Sequence, residues 1–366
     1  MKSSRLYLNS TPSDSTLVQG KTYFTRTEIE YALYKTQIDP QIQQTLLLAS
    51  IYLMRLGCLN GFPRTTINRS LIYLNQLSLV YNFRDYCIKN ICLACLFVAC
   101  KAEDTVKKLK DIISTSNNLK ESRFQQLFHN PNDPENQKSS SKLDTPNGSN
   151  TVTADLISTP NDGTVLDELI QLIHRYELMI LELNSYNFNL DHPQTYVIKF
   201  GRIYHAPSSF IRLAWELSHF TYLSHLCLQY PPHLIACGSY VIATHLKSNL
   251  SPFLNYPTWF QTYFCEKETL YGYISQLIEL LITVLKSPTS YLIVDSSISS
   301  ISIMELNQIK LKLVQQGLWL EFNQFKFDEK NLYKIKIWLN IHKKLKKSTE
   351  NSGEVEIRFG FQDKMP

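Results

Sequence analysis

The stretch CLACLFVACKAEDTVKKLKDII, residues 92–113, decides how the rest of the chain is read. Nine apolar or small residues in a row describe a helix covered on every side. The run then meets Lys101 and turns polar through Ala102, Glu103 and Asp104. Glycine commonly closes a helix, and here a lysine stands at the end instead. Taken alone, Lys101 is a cation placed where the helix dipole favours one.

Upstream, apolar residues recur at helical spacing from Pro40 to Leu59, among them Ile42, Leu46, Leu47, Ile51, Leu53 and Leu56. Gly57 and Gly61-Phe62-Pro63 are expected to break that helix. The next helix is expected over 63–80, with proline in its first turn. Two more follow at 85–101 and 106–114. Before all of these, TRTEIEYALYKT (25–36) carries a capping box built on Thr25 or Thr27.

Downstream, residues 129–164 hold four prolines and no Phe, Trp or Tyr. Such a stretch buries too little surface to offset the entropy of ordering it, so it is expected to be a disordered insertion. The helical pattern resumes at Val165 and runs to about Ser185. After Asp191-His192-Pro193 the series repeats, with helices expected at 194–204, 208–223, 231–246, 254–264 and 267–286. LIACGSYVIATHLK (234–247) matches 92–101 in character: small-residue-rich, apolar and closed by lysine. Small residues let neighbouring helices approach closely, which suits the centre of a bundle.

The inferred fold is all-α: two tandem five-helix bundles, an N-terminal helix and a C-terminal helical extension. The expected divisions are a loose N-terminus (1–24), a first bundle (25–190) interrupted by 129–164, a second bundle (191–288) and a basic extension (289–366). Residues 301–366 contain 12 Lys and Arg against 8 Asp and Glu, so they carry +4 of the net +5. Helices are expected there at 302–316 and 329–347. Trp338 and Leu345 on the second imply that one side packs on the second bundle or on a third subunit.

Composition narrows the function. The chain of 366 residues is 44% hydrophobic and 19% charged, a globular balance. No stretch of about 18 uncharged apolar residues occurs, so no membrane span is expected. The opening MKSSRLYLNS lacks a signal-peptide core, and the eight cysteines fall mostly inside apolar helical patterns, so reduced thiols in an intracellular protein are expected. Cys92-Leu-Ala-Cys95 has no second pair at zinc-ribbon spacing and reads as packing. His174 has no nucleophile pattern or phosphate loop beside it and reads as a surface histidine. No metal, cofactor or catalytic residue is expected.

These stretches together resemble a cyclin. LACLFVACKAED (93–104) resembles the diagnostic third helix of the cyclin box, and RYELMILELNSYNFNLDHPQTYVIKF (175–200) its fifth helix and the linker that follows. LCLQYPPHLIACGSYVIATHL (226–246) is similar to the transcriptional cyclins of the T and K type, including fungal β subunits of kinases for the RNA polymerase II C-terminal domain. The resemblance covers about residues 25–287.

It implies a regulatory subunit, not an enzyme, that activates a cyclin-dependent protein kinase in RNA polymerase II transcription in the nucleus. It implies that Lys101 and Glu177 bond backbone groups flanking the kinase's regulatory helix, with apolar contact from Val98, Ala102, Tyr186 and Phe188. It also marks departures. Asn75 stands where cell-cycle cyclins carry an aspartate paired to an arginine, and QTLLLASIY (44–52) lacks their substrate-docking motif. The alternative is a general transcription factor of the same two-repeat fold that binds DNA. Residues 1–37 contain no cysteine for a zinc ribbon and the second repeat is not strongly basic, so direct nucleic-acid binding is not expected.

Overall fold

A computed structural model describes residues 23–35, 40–119, 124, 162–247, 263–286, 301–320, 332, 335–336 and 339. Those residues form helices and turns, with no strand among them.

The N-terminal helix α1 (Arg26–Lys35) begins with the capping box, and Thr25 is its cap. The Thr25 backbone N–H donates to Glu28 Oε2 at 2.7 Å, and the Glu28 N–H donates to Thr25 Oγ1 at 3.3 Å. The first repeat follows: α2 (Pro40–Leu59), α3 (Arg64–Val80), α4 (Ile88–Ala102), α5 (Leu109–Asn118) and α6 (Asp162–Leu183). The second contains α7 (Pro193–Ile203), α8 (Ser208–Phe220), the short α9 (Leu226–Gln229), α10 (Pro232–Leu246) and α11 (Lys267–Lys286). The helix expected at 254–264 lies almost wholly outside the described residues, as does most of the expected insertion; α6 starts at Asp162, three residues before the expected Val165.

The two small-residue helices occupy the bundle centres. α4 packs on α2, α3 and α6, and α10 packs on α7, α8 and α11. Cys92, Ala94, Cys95, Ala99 and Cys100 are fully covered, as are Ala236 and Cys237. At Gly238 the approach is closest: a Cβ there would overlap the Tyr273 ring of α11. Gly57 does not end α2. It lies inside the helix because Ile67 of α3 packs where its Cβ would be. The stop is Gly61, whose φ of +68° closes the turn before Pro63.

Helix α3 also joins the repeats. Asn75, fully buried, donates from Nδ2 to the Leu71 carbonyl at 2.9 Å and to the Tyr222 carbonyl at 3.0 Å. Its amide therefore fastens the second repeat, where the cell-cycle pattern has a carboxylate. Ser78 Oγ meets His225 Nε2 at 2.8 Å, and Arg64 Nη1 donates to His219 Nε2 at 3.1 Å.

The C-terminal extension packs on the second repeat through α12 (Ile303–Gln315), which opens with a capping box of Ser302 and Glu305. Leu306, Ile309 and Leu313 are buried at i, i+3 and i+7 against α10 and α11. Trp338 and Leu345 lie outside the described residues, but Leu332, Ile335 and Leu339 nearby are buried. Lys336 Nζ sits 5.7 Å from the centre of the Tyr31 ring of α1. No helix among the described residues is long and apolar enough to cross a membrane.

Candidate partner-binding face

The end of α4 answers the question its sequence raises. Asp104 takes the left-handed position that glycine usually fills, at φ +54°. The Thr105 N–H then reaches back to the Cys100 carbonyl at 2.9 Å and satisfies an orphan acceptor. Aspartate tolerates this conformation better than most side chains. The helix is thus closed one turn beyond its buried part, and Lys101 is left at the rim.

Lys101 does not point freely into water. Its ammonium lies 4.1 Å from the centre of the Phe97 ring, one turn back, and forms an ion pair with Glu177 Oε1 on α6. Glu177 is the more covered partner, its side chain 13% exposed against 39% for Lys101. The other carboxylate oxygen, Oε2, meets His174 Nδ1 at 3.1 Å. The His174 ring stands edge-on to Phe97 at 5.9 Å. Two helices distant in sequence thus set a cation, a carboxylate, an imidazole and an aromatic ring into one patch.

α6 ends in the same way as α4. Ser185 has φ +50°, and the Tyr186 N–H donates to the Leu181 carbonyl at 3.0 Å. Tyr186 is also left-handed, at φ +54°. Left-handed non-glycine residues cost of order 1–3 kcal/mol each and persist only where surroundings hold them. Three of them, Asp104, Ser185 and Tyr186, fall at the two helix ends that frame this face. Tyr186 itself and Phe188 just beyond it are 48% and 42% exposed, unusual for large aromatics.

Between the two ends stands a buried cation. Arg69 on α3, its side chain 5% exposed, donates from Nε to Glu103 Oε1 and from Nη1 to the Phe188 carbonyl at 2.8 Å. Burial alone would lower the guanidinium pKa, but the neighbouring Tyr73 and Glu103 outweigh it and the net direction is upward. Glu103 Oε1 also lies 3.5 Å from His192 Nε2, and His192 Nδ1 lies 3.4 Å from the Tyr222 hydroxyl. Burial lowers the His192 pKa despite Glu103.

Of the six residues expected here, the structure places Lys101 and Glu177 in contact and leaves Tyr186 and Phe188 exposed. Ala102 is half-buried. Val98 departs from expectation. It is 2% exposed and belongs to the core of the first repeat, so its methyls are not available to a partner. Phe97, beside it, faces the rim and supports Lys101. Cys92 and Cys95 are core residues whose thiols burial pushes well up, and among the described residues no three or more His, Cys, Asp or Glu are grouped so as to hold a metal ion.

Comparison with known proteins agrees with the fold. The chain is 25% identical over 232 residues to the CTD kinase subunit beta of Schizosaccharomyces pombe, an alignment covering 63% of this chain and 60% of the relative. It is 23% identical over 262 residues to Cyclin-T1-4 of Arabidopsis thaliana, covering 70% and 43%. A chain of the crystal structure of the yeast RNA polymerase II CTD kinase CTDK-1 complex superposes with a TM-score of 0.63 at 20% identity, over 87% of this chain and 90% of that one. The chain has the all-α cyclin fold and is similar in sequence to transcriptional cyclins. No family model matches it. It spans less than two thirds of the length of these curated relatives.

Within this cyclin fold the patch has a definite chemistry. Lysine offers three donors and no acceptor, and ionised glutamate accepts only. Set side by side at a rim flanked by exposed aromatics, they match a backbone segment that presents a free carbonyl and a free N–H close together. A helix leaves free N–H groups at its start and free carbonyls at its end, and the residues flanking a helix end carry both kinds. Sequence reasoning found the pair but missed Arg69, Glu103 and His174 as parts of the face. Nothing in the sequence singled out the first, since α3 also buries the polar Thr66, Asn68, Ser70, Asn75 and Ser78.

Proposed function

We propose that this chain is the regulatory cyclin subunit of a cyclin-dependent protein kinase acting on the RNA polymerase II C-terminal domain in the nucleus. The observation that carries the reading is the Lys101–Glu177 pair, held at the rim between α4 and α6 beside exposed Tyr186 and Phe188. The names of the relatives, a CTD kinase subunit and a T-type cyclin, support the branch.

The mechanism is a shift of population. Lys101 and Glu177 satisfy each other in the free chain and share their charge with the backbone at the end of a kinase helix on binding. Charge-assisted bonds of this kind contribute about 1.5–3 kcal/mol each. The Tyr186 and Phe188 rings supply apolar burial around them. A face that fits only one placement of the kinase helix binds that placement better and so enriches it. Correct placement joins the kinase's Lys–Glu ion pair and readies phosphoryl transfer, which the kinase alone performs.

The test is purification of the tagged chain from its native cells. A stoichiometric kinase that phosphorylates C-terminal-domain repeat peptides is expected. A kinase inactive on those peptides would remove the branch, and no kinase would remove the function.

A further inference from the structure

We infer that Arg69 is the positioning residue of this face: its buried guanidinium locks the linker backbone at Phe188 to the end of α4, so that Lys101, Tyr186 and Phe188 are presented together. The inference rests on the kinase-binding reading and adds to it a residue that touches no partner.

The placement is what singles Arg69 out. Its neighbours on α3 are all buried, a mixture of apolar Ile67 and Leu71 with neutral polar Thr66, Asn68 and Ser70, and among these Arg69 alone carries a charge. A buried charge is costly unless it is paired and hydrogen-bonded. Arg69 is both, and the two acceptors come from different segments. Glu103 lies two residues beyond Lys101. The Phe188 carbonyl lies two residues beyond Tyr186. The planar fork of arginine can hold a carboxylate and a carbonyl at once in fixed geometry, which a lysine ammonium does not. Without that hold, no other hydrogen bond among the described residues fastens Phe188 to the first repeat. Residues 187–189 are exposed and helix-free, and their bonds stay within the turn: the Asn187 N–H to the Asn184 carbonyl, the Asn189 N–H to Asn187 Oδ1.

Glu103 extends the lock. The same Oε1 faces His192, the residue before α7, and His192 faces Tyr222 in the turn that follows α8. The lock therefore joins the end of α4, the linker and the entry to the second repeat through one buried guanidinium.

The test separates positioning from folding with Arg69→Lys, which keeps a cation opposite Glu103 and gives up the second bond. In the free chain, hydrogen exchange of the amides at 186–190 is expected to quicken at least tenfold, with α4 and α6 amides unchanged. Unchanged exchange at 186–190 would overturn the inference whatever the partner proves to be. With the kinase, Phe188→Ala is expected to weaken binding about tenfold in the native chain and hardly at all in Arg69→Lys, the non-additivity of residues acting as a unit. Additive losses would overturn the inference and leave the binding face standing. A native chain that binds no kinase, yet shows the exchange effect, would overturn the proposed function and keep the lock.

Discussion

Glu177 holds Lys101 with one carboxylate oxygen and His174 with the other, across the seam between α6 and α4. An exposed ion pair of this kind adds little to stability, about 0–1 kcal/mol. On the kinase-binding proposal, its value lies in what it offers a partner. Lys101→Glu and Glu177→Lys are each expected to leave the melting temperature nearly unchanged and to weaken kinase binding roughly 10- to 150-fold, the loss of one charge-assisted bond. The decisive comparison is the double exchange. A pair that served only its own chain would be restored by swapping the charges. A pair that reads a partner's carbonyl and N–H in fixed order would not, and binding in the double variant is expected to stay lost. Titration calorimetry of the four proteins against the kinase settles it.

Val98 and Phe188 should part company under mutation. Val98 lies in the core, so Val98→Ala leaves a cavity and is expected to cost roughly 1–3 kcal/mol of stability in urea unfolding, with binding unchanged at temperatures where the variant is folded. Phe188→Ala removes an exposed ring and is expected to do the reverse. A Val98→Ala variant as stable as the native chain but impaired in binding would place Val98 on the face after all.

How much of this was readable in advance follows from range. The unbroken run 92–100 announces a central helix, because no surface helix can be apolar all round, and the second small-residue run at 234–246 announces its repeat. Lys101 and Glu177 were legible through the resemblance to cyclins. Arg69, Glu103 and the Phe188 carbonyl were not, since they are 34 and 119 residues apart and backbone acceptors leave no mark in a sequence. Val98 was misplaced because a fully apolar helix does not show which side meets the rim. Gly57 was misread because glycine serves both as a helix stop and as a close-approach site, and only the position of Ile67 separates the two.

Acid should loosen the joint between the repeats through His219. This ring is 4% exposed, its Nε2 accepts from Arg64, and its Nδ1 has no hydrogen-bond partner among the described residues. Burial, then the Arg64 charge, lowers its pKa from 6.5 to about 3. The folded state thus refuses a proton that the unfolded chain takes up below its own pKa. Stability from this group is complete above about pH 6.5 and declines as pH falls toward 3, by up to roughly 1.4 kcal/mol per pH unit. Urea midpoints at pH 7 and pH 5 are expected to differ by more in the native chain than in His219→Gln. Equal differences would mean that His219 is already protonated when folded.

The tightest helix contact gives the last prediction. Gly238 brings α10 against Tyr273 of α11, and the ring cannot swing aside without cost. Its hydroxyl is bonded to Thr221 Oγ1 at 2.7 Å and lies 3.3 Å from Ser239 Oγ, deep in the second repeat. Alanine is normally the better helix former by about 1 kcal/mol, so an open site would gain from Gly238→Ala. Here the added methyl overlaps the ring, and overpacking of this kind typically costs about 1–3 kcal/mol. The two effects have opposite signs, which makes the outcome diagnostic. A net loss of up to about 2 kcal/mol in urea unfolding is expected, with recovery in Gly238→Ala/Tyr273→Leu, where the ring is absent. A gain in stability from the single substitution would show that α10 and α11 pack less closely than this structure has them.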